Sequence, residues 1–125
     1  MLFRSIEEIE VWQRSCRLVV TLLKSLDSKE LWRKRSLKEQ IERAAISIPS
    51  NIAEGYERNS TRDFIRFLHI AKGSCGELRT QLYILKALSI LPDGEVNGWI
   101  KECKELSSMV QGLINGLRAR ENPDK

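Results

Sequence analysis

Apolar residues recur at three- and four-residue intervals through four stretches of the chain, the spacing that lines one face of a helix. Nowhere do they alternate with polar residues as they would along a half-buried strand. The first stretch opens on Ser5-x-x-Glu8, a capping-box arrangement, and runs through Ile9, Trp12, Cys16, Val19, Val20, Leu23 and Leu26 to Asp27-Ser28. A second set, Val11, Leu18 and Leu22, widens its apolar surface. The second stretch carries Leu37, Ile41, Ala44, Ala45, Ile48, Ile52 and Tyr56. Asn59-Ser60-Thr61 then makes a turn, with Ser60 or Thr61 as N-cap and Asp63 favourable at the positive end of the next helix dipole. The third stretch holds Phe64, Phe67, Leu68, Ala71, Cys75, Leu78, Leu82 and Leu85, and Leu91-Pro92-Asp93-Gly94 breaks it. The fourth holds Val96, Trp99, Ile100, Cys103, Leu106, Val110, Leu113 and Leu117. Arg118 and Arg120 lie at its negative dipole end, and Asn122-Pro123-Asp124-Lys125 reads as a frayed tail.

These periods predict helices over about 5–27, 33–57, 61–90 and 94–119. Connections of a few residues force neighbours antiparallel, so residues 1–125 read as one all-α domain, an up-down-up-down four-helix bundle. Ile65, Ile84, Leu88 and Leu91, together with Val11, Leu18 and Leu22, are apolar rows left outside the core of so small a bundle. Self-association is their natural outlet.

Two segments break local rules. In Ser47-Ile48-Pro49-Ser50-Asn51-Ile52-Ala53-Glu54-Gly55, a proline sits where a helix interior disfavours one. Beside that helix's apolar row runs a polar one: Gln40, Arg43, Ser47, Asn51, Glu54 and Arg58. In Gly73-Ser74-Cys75-Gly76, each glycine costs roughly 1 kcal/mol relative to alanine, a loss that close approach of another helix would offset. Ser74, Glu77 and Gln81 form a second polar row at matching spacing. If the rows face each other, Arg43 pairs with Glu77, while Asn51 and Gln81 satisfy leftover groups beside Ser47, Glu54 and Ser74. Such a network more often fixes register and assembly than performs chemistry.

Composition adds little to the fold and more to the function. At 42% hydrophobic and 30% charged, the chain is globular rather than disordered. It has no apolar run near the roughly 20 residues that span a bilayer, and no signal-peptide core follows Met1. Cys16, Cys75 and Cys103 are odd in number and far apart, which points to free buried thiols in a reducing compartment and a cytoplasmic protein. Di-iron bundles need Glu-x-x-His motifs, yet the one histidine, His69, is preceded three residues earlier by Arg66. No nucleophile–base pair and no glycine-rich phosphate loop between strand and helix is evident. The expectation is therefore a non-enzyme without metal or cofactor.

The positive charge is concentrated. Lys29, Arg33, Lys34, Arg35 and Lys38 face one acid, Glu30, between positions 29 and 38, and that balance equals the +4 of the whole chain. Such a connection can steer a phosphate backbone, with Trp32 embedded as a stacking platform; the alternative is a solvated turn that only maintains solubility. Arg58, Arg62 and Arg66, at i, i+4, i+8 spacing, are further candidates. No RNA-recognition or helix-turn-helix pattern appears, so binding to RNA or DNA should be backbone-driven, salt-sensitive and weakly sequence-specific.

Several runs resemble the four-helix-bundle proteins encoded in intervening sequences of bacterial 23S ribosomal RNA genes. They are Val11-Trp12-Gln13, Gln40-Ile41-x-Arg43-Ala44-Ala45, the Ser47 to Gly55 block, and Ala71-x-Gly73-Ser74-x-x-Glu77-Leu78-x-x-Gln81-Leu82. The resemblance covers about Phe3 to Leu117, and the Ser47 to Gly55 block is its most specific part. It implies an antiparallel four-helix bundle that assembles as a ring-shaped homopentamer, in a family not defined by catalysis. A related branch of similar bundles serves diversity-generating retroelements as an accessory protein that binds nucleic acid and a reverse transcriptase. The resemblance therefore implies two roles, a nucleic-acid-binding scaffold accessory to a reverse transcriptase or a purely structural or protein-interaction module.

Overall fold

A computed structural model describes residues 3–121, so the expected tail Asn122-Pro123-Asp124-Lys125 lies outside the described residues. A short 3-10 turn, Ile6–Glu8, precedes α1 (Glu10–Ser25). There follow α2 (Lys29–Arg33), α3 (Arg35–Glu57), α4 (Thr61–Ala87) and α5 (Asp93–Glu121). The four long helices pack against each other in the order α1, α3, α4, α5 and back to α1. Neighbours run antiparallel. Ser47 meets Ser74 while Gly55 meets Phe64 and Phe67, and His69 meets Arg118 while Lys72 meets Gln111.

The chain enters the first helix later than its capping box suggests. Ser5 makes no side-chain cap, and Glu8 accepts instead from the Arg4 backbone N–H at 2.9 Å. Ile9 stays extended, which delays α1 to Glu10. The face that α1 buries is also different. Val11, Leu18 and Leu22 are core residues, whereas Val20 and Leu23 are exposed and Trp12, Cys16 and Val19 half-buried. Ser15 explains the misreading. It interrupts the Val11–Leu18–Leu22 row with a polar residue, but its hydroxyl donates to the Trp12 carbonyl at 2.9 Å and so enters the core already satisfied.

The link from α1 to α3 is a helix of its own rather than a turn. Ser28 caps α2, accepting from the Leu31 N–H at 3.2 Å, and Leu31 plugs fully into the core. Lys34, at φ −107° and ψ 48°, then bends the chain into α3. Ser60 caps α4 as expected, accepting from the Asp63 N–H at 3.0 Å. Ser89, at φ 56°, takes the left-handed conformation just after α4, which ends at Ala87 rather than at 90.

Each long helix feeds the core. Ile41, Ile48 and Ile52 come from α3; Phe64, Leu68, Leu78 and Leu82 from α4; Val96, Leu106 and Ile114 from α5. Burying each such side chain stabilises the fold by about 1.5–3 kcal/mol. Arg14 fastens α1 to α5 from outside, pairing with Glu102 and Glu105 and touching Met109 Sδ at 3.3 Å. The bonds to Glu102 and then Glu105 raise the Arg14 pKa further, and the bond from Arg14 holds the Glu105 carboxyl below its usual range.

Candidate nucleic-acid interface

The basic connection is built on Leu31. Its burial pins a five-residue helix to one end of the bundle and leaves the other side chains of α2 outside. Lys29, Arg33 and Lys34 are exposed and make no ion pair among the described residues. Arg35 and Lys38 are partly spent: Arg35 bonds Glu39 at 3.1 Å, and Lys38 bonds both oxygens of Glu42 at 3.1 and 3.2 Å. Trp32 is 54% exposed. Its Nε1 donates to Asp27 at 3.2 Å and Lys38 Nζ lies 5.2 Å from its ring centroid, so the indole is oriented rather than loose. Exposed i, i+4 pairs are weak, and Arg35 can exchange Glu39 for a phosphate. The cluster thus comprises three free cations, two paired ones and an accessible aromatic ring.

Arg58, Arg62 and Arg66 do not form a single helical row. Arg58 is the extended residue that closes α3, and the other two belong to α4. Phe67 brings the outer two together instead, with Arg58 5.0 Å and Arg66 4.5 Å from its ring centroid. Arg58 also bonds Glu54 at 2.9 Å and Arg66 lies 3.8 Å from Asp63, while Arg62 makes no ion pair among the described residues. This second cluster lies at the far end of α3 from the first.

Between the ends, the α3/α4 seam holds a smaller network than its spacing predicts. Asn51 Nδ2 donates to Ser47 Oγ at 2.8 Å, and the Ser47 and Ser74 hydroxyls are 2.7 Å apart. Ser74 donates to the Ile70 carbonyl at 3.2 Å, so protons run from Asn51 through Ser47 and Ser74 to the backbone. All three side chains are neutral. Arg43 and Glu77 are exposed and do not pair, and Glu54 bonds Arg58 instead of joining the seam. Gln81 Oε1 is buried without a partner.

The expected close approach at Gly73 and Gly76 is absent: a Cβ at either position would have nothing within 4 Å. The tight contact is at Gly55, where a Cβ would lie 2.6 Å from Phe67 Cβ and 3.2 Å from the Phe64 carbonyl. Gly73 and Gly76 instead line an open groove of about 350 Å³ between α4 and α5, beside His69, Lys72 and Arg79. Sequence reasoning missed these cations, although Lys72, Arg79 and Lys86 recur every seventh residue. All three cysteines are free; burial pushes the Cys75 thiol up to about 11 and the Cys103 thiol up to about 12. No group of three or more His, Cys, Asp or Glu side chains converges as a metal site among the described residues. No described helix is long and apolar enough to cross a membrane.

No curated protein matches the chain significantly. The family model described as 23S rRNA-intervening sequence protein matches residues 7–112, from the first turn of the fold to the last third of α5. That span includes the Ser47 to Gly55 block, the tight Gly55 contact and the α3/α4 hydroxyl network, and the chain belongs to the 23S rRNA-intervening sequence protein family.

Proposed function

We propose that this protein is a non-enzymatic, self-associating scaffold that binds nucleic acid through phosphate contacts. The observation that carries this reading is the α2 cluster: Lys29, Arg33 and Lys34 stand free around the accessible ring of Trp32. Free cations release counterions when they meet a phosphate backbone, so binding weakens steeply with salt. Titrating the protein against a labelled RNA at two salt concentrations tests this. Charge reversal by Arg33→Glu with Lys34→Glu is expected to weaken binding roughly tenfold or more and flatten the salt slope. Unchanged affinity would remove the phosphate role from α2. A wild-type protein with no salt-dependent binding would instead favour a structural or protein-interaction module.

Self-association is supported by Ile46 of α3, Ile70 and Ile84 of α4 and Leu88 just after it, which remain 43–48% exposed. The buried, unpartnered Gln81 Oε1 lies on the same helix. Ile70 and Ile84 are two heptads apart and so share one face of α4. Their expected outlet is the closed ring of five that the family resemblance implies. Native mass spectrometry reads the number of copies directly; a monomer at micromolar concentration would sink the assembly.

A further inference from the structure

The α4/α5 groove has a chemistry that the α2 cluster does not. Lys72 reaches across it to donate to Gln111 Oε1 at 2.8 Å, so its charge is positioned by a neutral partner and stays uncompensated. Arg79 lines the same wall and makes no ion pair among the described residues. Arg118 bonds His69 of the lining, its Nη2 3.1 Å from His69 Nε2; since arginine can only donate, the imidazole nitrogen accepts. No carboxylate lines the groove. Glu102 and Glu105 of α5 turn the other way, to Arg14, and Asp63 of α4 is taken by Arg66. Cys75 and Cys103 form part of the lining, and with both thiols raised well above neutral pH they add no negative charge. The groove is therefore lined by charge of one sign.

We propose that the α4/α5 groove is a track for a single nucleic-acid strand, with Lys72, Arg79 and Arg118 on its phosphates and Tyr83 stacking a base. Three features favour this occupant. Lys72, Arg79 and Lys86 repeat every seventh residue, about 10.5 Å along the helix, or one cation for about every third nucleotide of a stacked strand. Tyr83 follows Arg79 by four residues and Gly76 by seven, is 47% exposed, and offers a ring to any base. A base can stack on Tyr83 only where its face is open, which a single strand offers and a paired, stacked duplex does not. Gly73 and Gly76 keep the wall low enough for a sugar-phosphate chain to lie against it. An acidic polypeptide satisfies the cations but has no use for Tyr83.

This inference rests on the nucleic-acid reading above but assigns a surface separate from α2, and the test separates the two. The probe is a labelled oligouridylate of about 20 nucleotides, followed by fluorescence anisotropy at about 0.1 M salt. Gly76→Glu places a carboxylate in the groove where a side chain meets nothing, so the fold is kept; Gly76→Gln is its uncharged counterpart. Gly76→Glu is expected to weaken binding roughly tenfold and Gly76→Gln less than about twofold. Tyr83→Ala is expected to cost about fivefold or more, with Tyr83→Phe close to wild type. Equal effects of Gly76→Glu and Gly76→Gln would overturn the proposal, as would duplex RNA binding with the same sensitivity to Gly76→Glu. Displacement of the strand by polyglutamate, with no effect of Tyr83→Ala, would reassign the groove to an acidic polypeptide. Loss of binding on reversing Arg33 and Lys34, with Gly76→Glu silent, would refute the groove alone. No binding by the wild type would refute both surfaces.

Discussion

The two flanks of α4 use glycine for opposite ends. Toward α3, Gly55 lets the Phe64–Phe67 turn come so close that a single methyl group would collide with it. Toward α5, Gly73 and Gly76 face nothing at all, and the space they leave is an open groove. A glycine inside a helix therefore does not announce a contact. It announces that a side chain is missing, and only the neighbouring helix decides whether the gap is filled.

Substitutions at these positions sharpen the contrast. Gly55→Ala should produce the largest effect, a loss of about 1–3 kcal/mol in urea unfolding, because Phe67 Cβ and the Phe64 backbone carbonyl must both give way. Ser74→Ala comes next. It cuts the proton chain from Asn51 to the Ile70 carbonyl and should cost about 1 kcal/mol. Adding Ser47→Ala should cost less than the sum of the two single changes, since both act on one bond; strict additivity would show that the hydroxyls are independent. Gly76→Ala should move the other way, stabilising by up to about 1 kcal/mol from helix propensity alone. A destabilised Gly76→Ala protein would mean that α5 or another copy packs there after all.

The smallest effect belongs to the α1/α5 fastening. The hydrogen bond from Arg14 holds the Glu105 carboxyl below its ordinary range, so the folded state binds fewer protons than the unfolded chain. Its contribution is complete above the unfolded carboxylate range and fades as pH falls through the folded one. Arg14→Met should thus lower stability by a small amount at neutral pH, since Glu105 is exposed and screened. It should lower it by nothing once the carboxyl is protonated, so that the acid limb of a stability–pH curve flattens. An unchanged acid limb would show that the pair is immaterial in solution.

Helix periodicity made α3, α4 and α5 legible almost residue by residue. On α4, Phe64, Leu68, Ala71, Cys75, Leu78, Leu82 and Leu85 are all buried as their spacing predicts, and only Phe67 is left half-covered, against two arginines. On α1 the same logic chose the wrong face. Two apolar rows compete there, and Ser15 disguised the true one because its hydroxyl finds a partner within its own helix. The site was less legible for a similar reason. A cation's spacing says which face it shares, but not whether a carboxylate reaches it first. Arg35 and Lys38 stand in the same basic run as Arg33 and Lys34, yet each has its acid one turn on. The groove cations Lys72 and Arg79 stand seven residues apart on α4, and only the groove left beside Gly73 and Gly76 makes them a set.

The length of α3 has a consequence of its own. Its 23 residues form a strut of about 34 Å between the α2 cations and the Arg58–Arg66 cluster. That is several times the roughly 8 Å screening length at physiological ionic strength, so within one chain the two ends do not feel each other's charge. A polymer must physically reach from one to the other to engage both. At about 3.4 Å per stacked nucleotide, that takes around ten nucleotides. If nucleic acid is held at both ends as proposed, the helix is a ruler: strands shorter than its span would engage one end, and affinity would gain a second increment once the strand outgrows it.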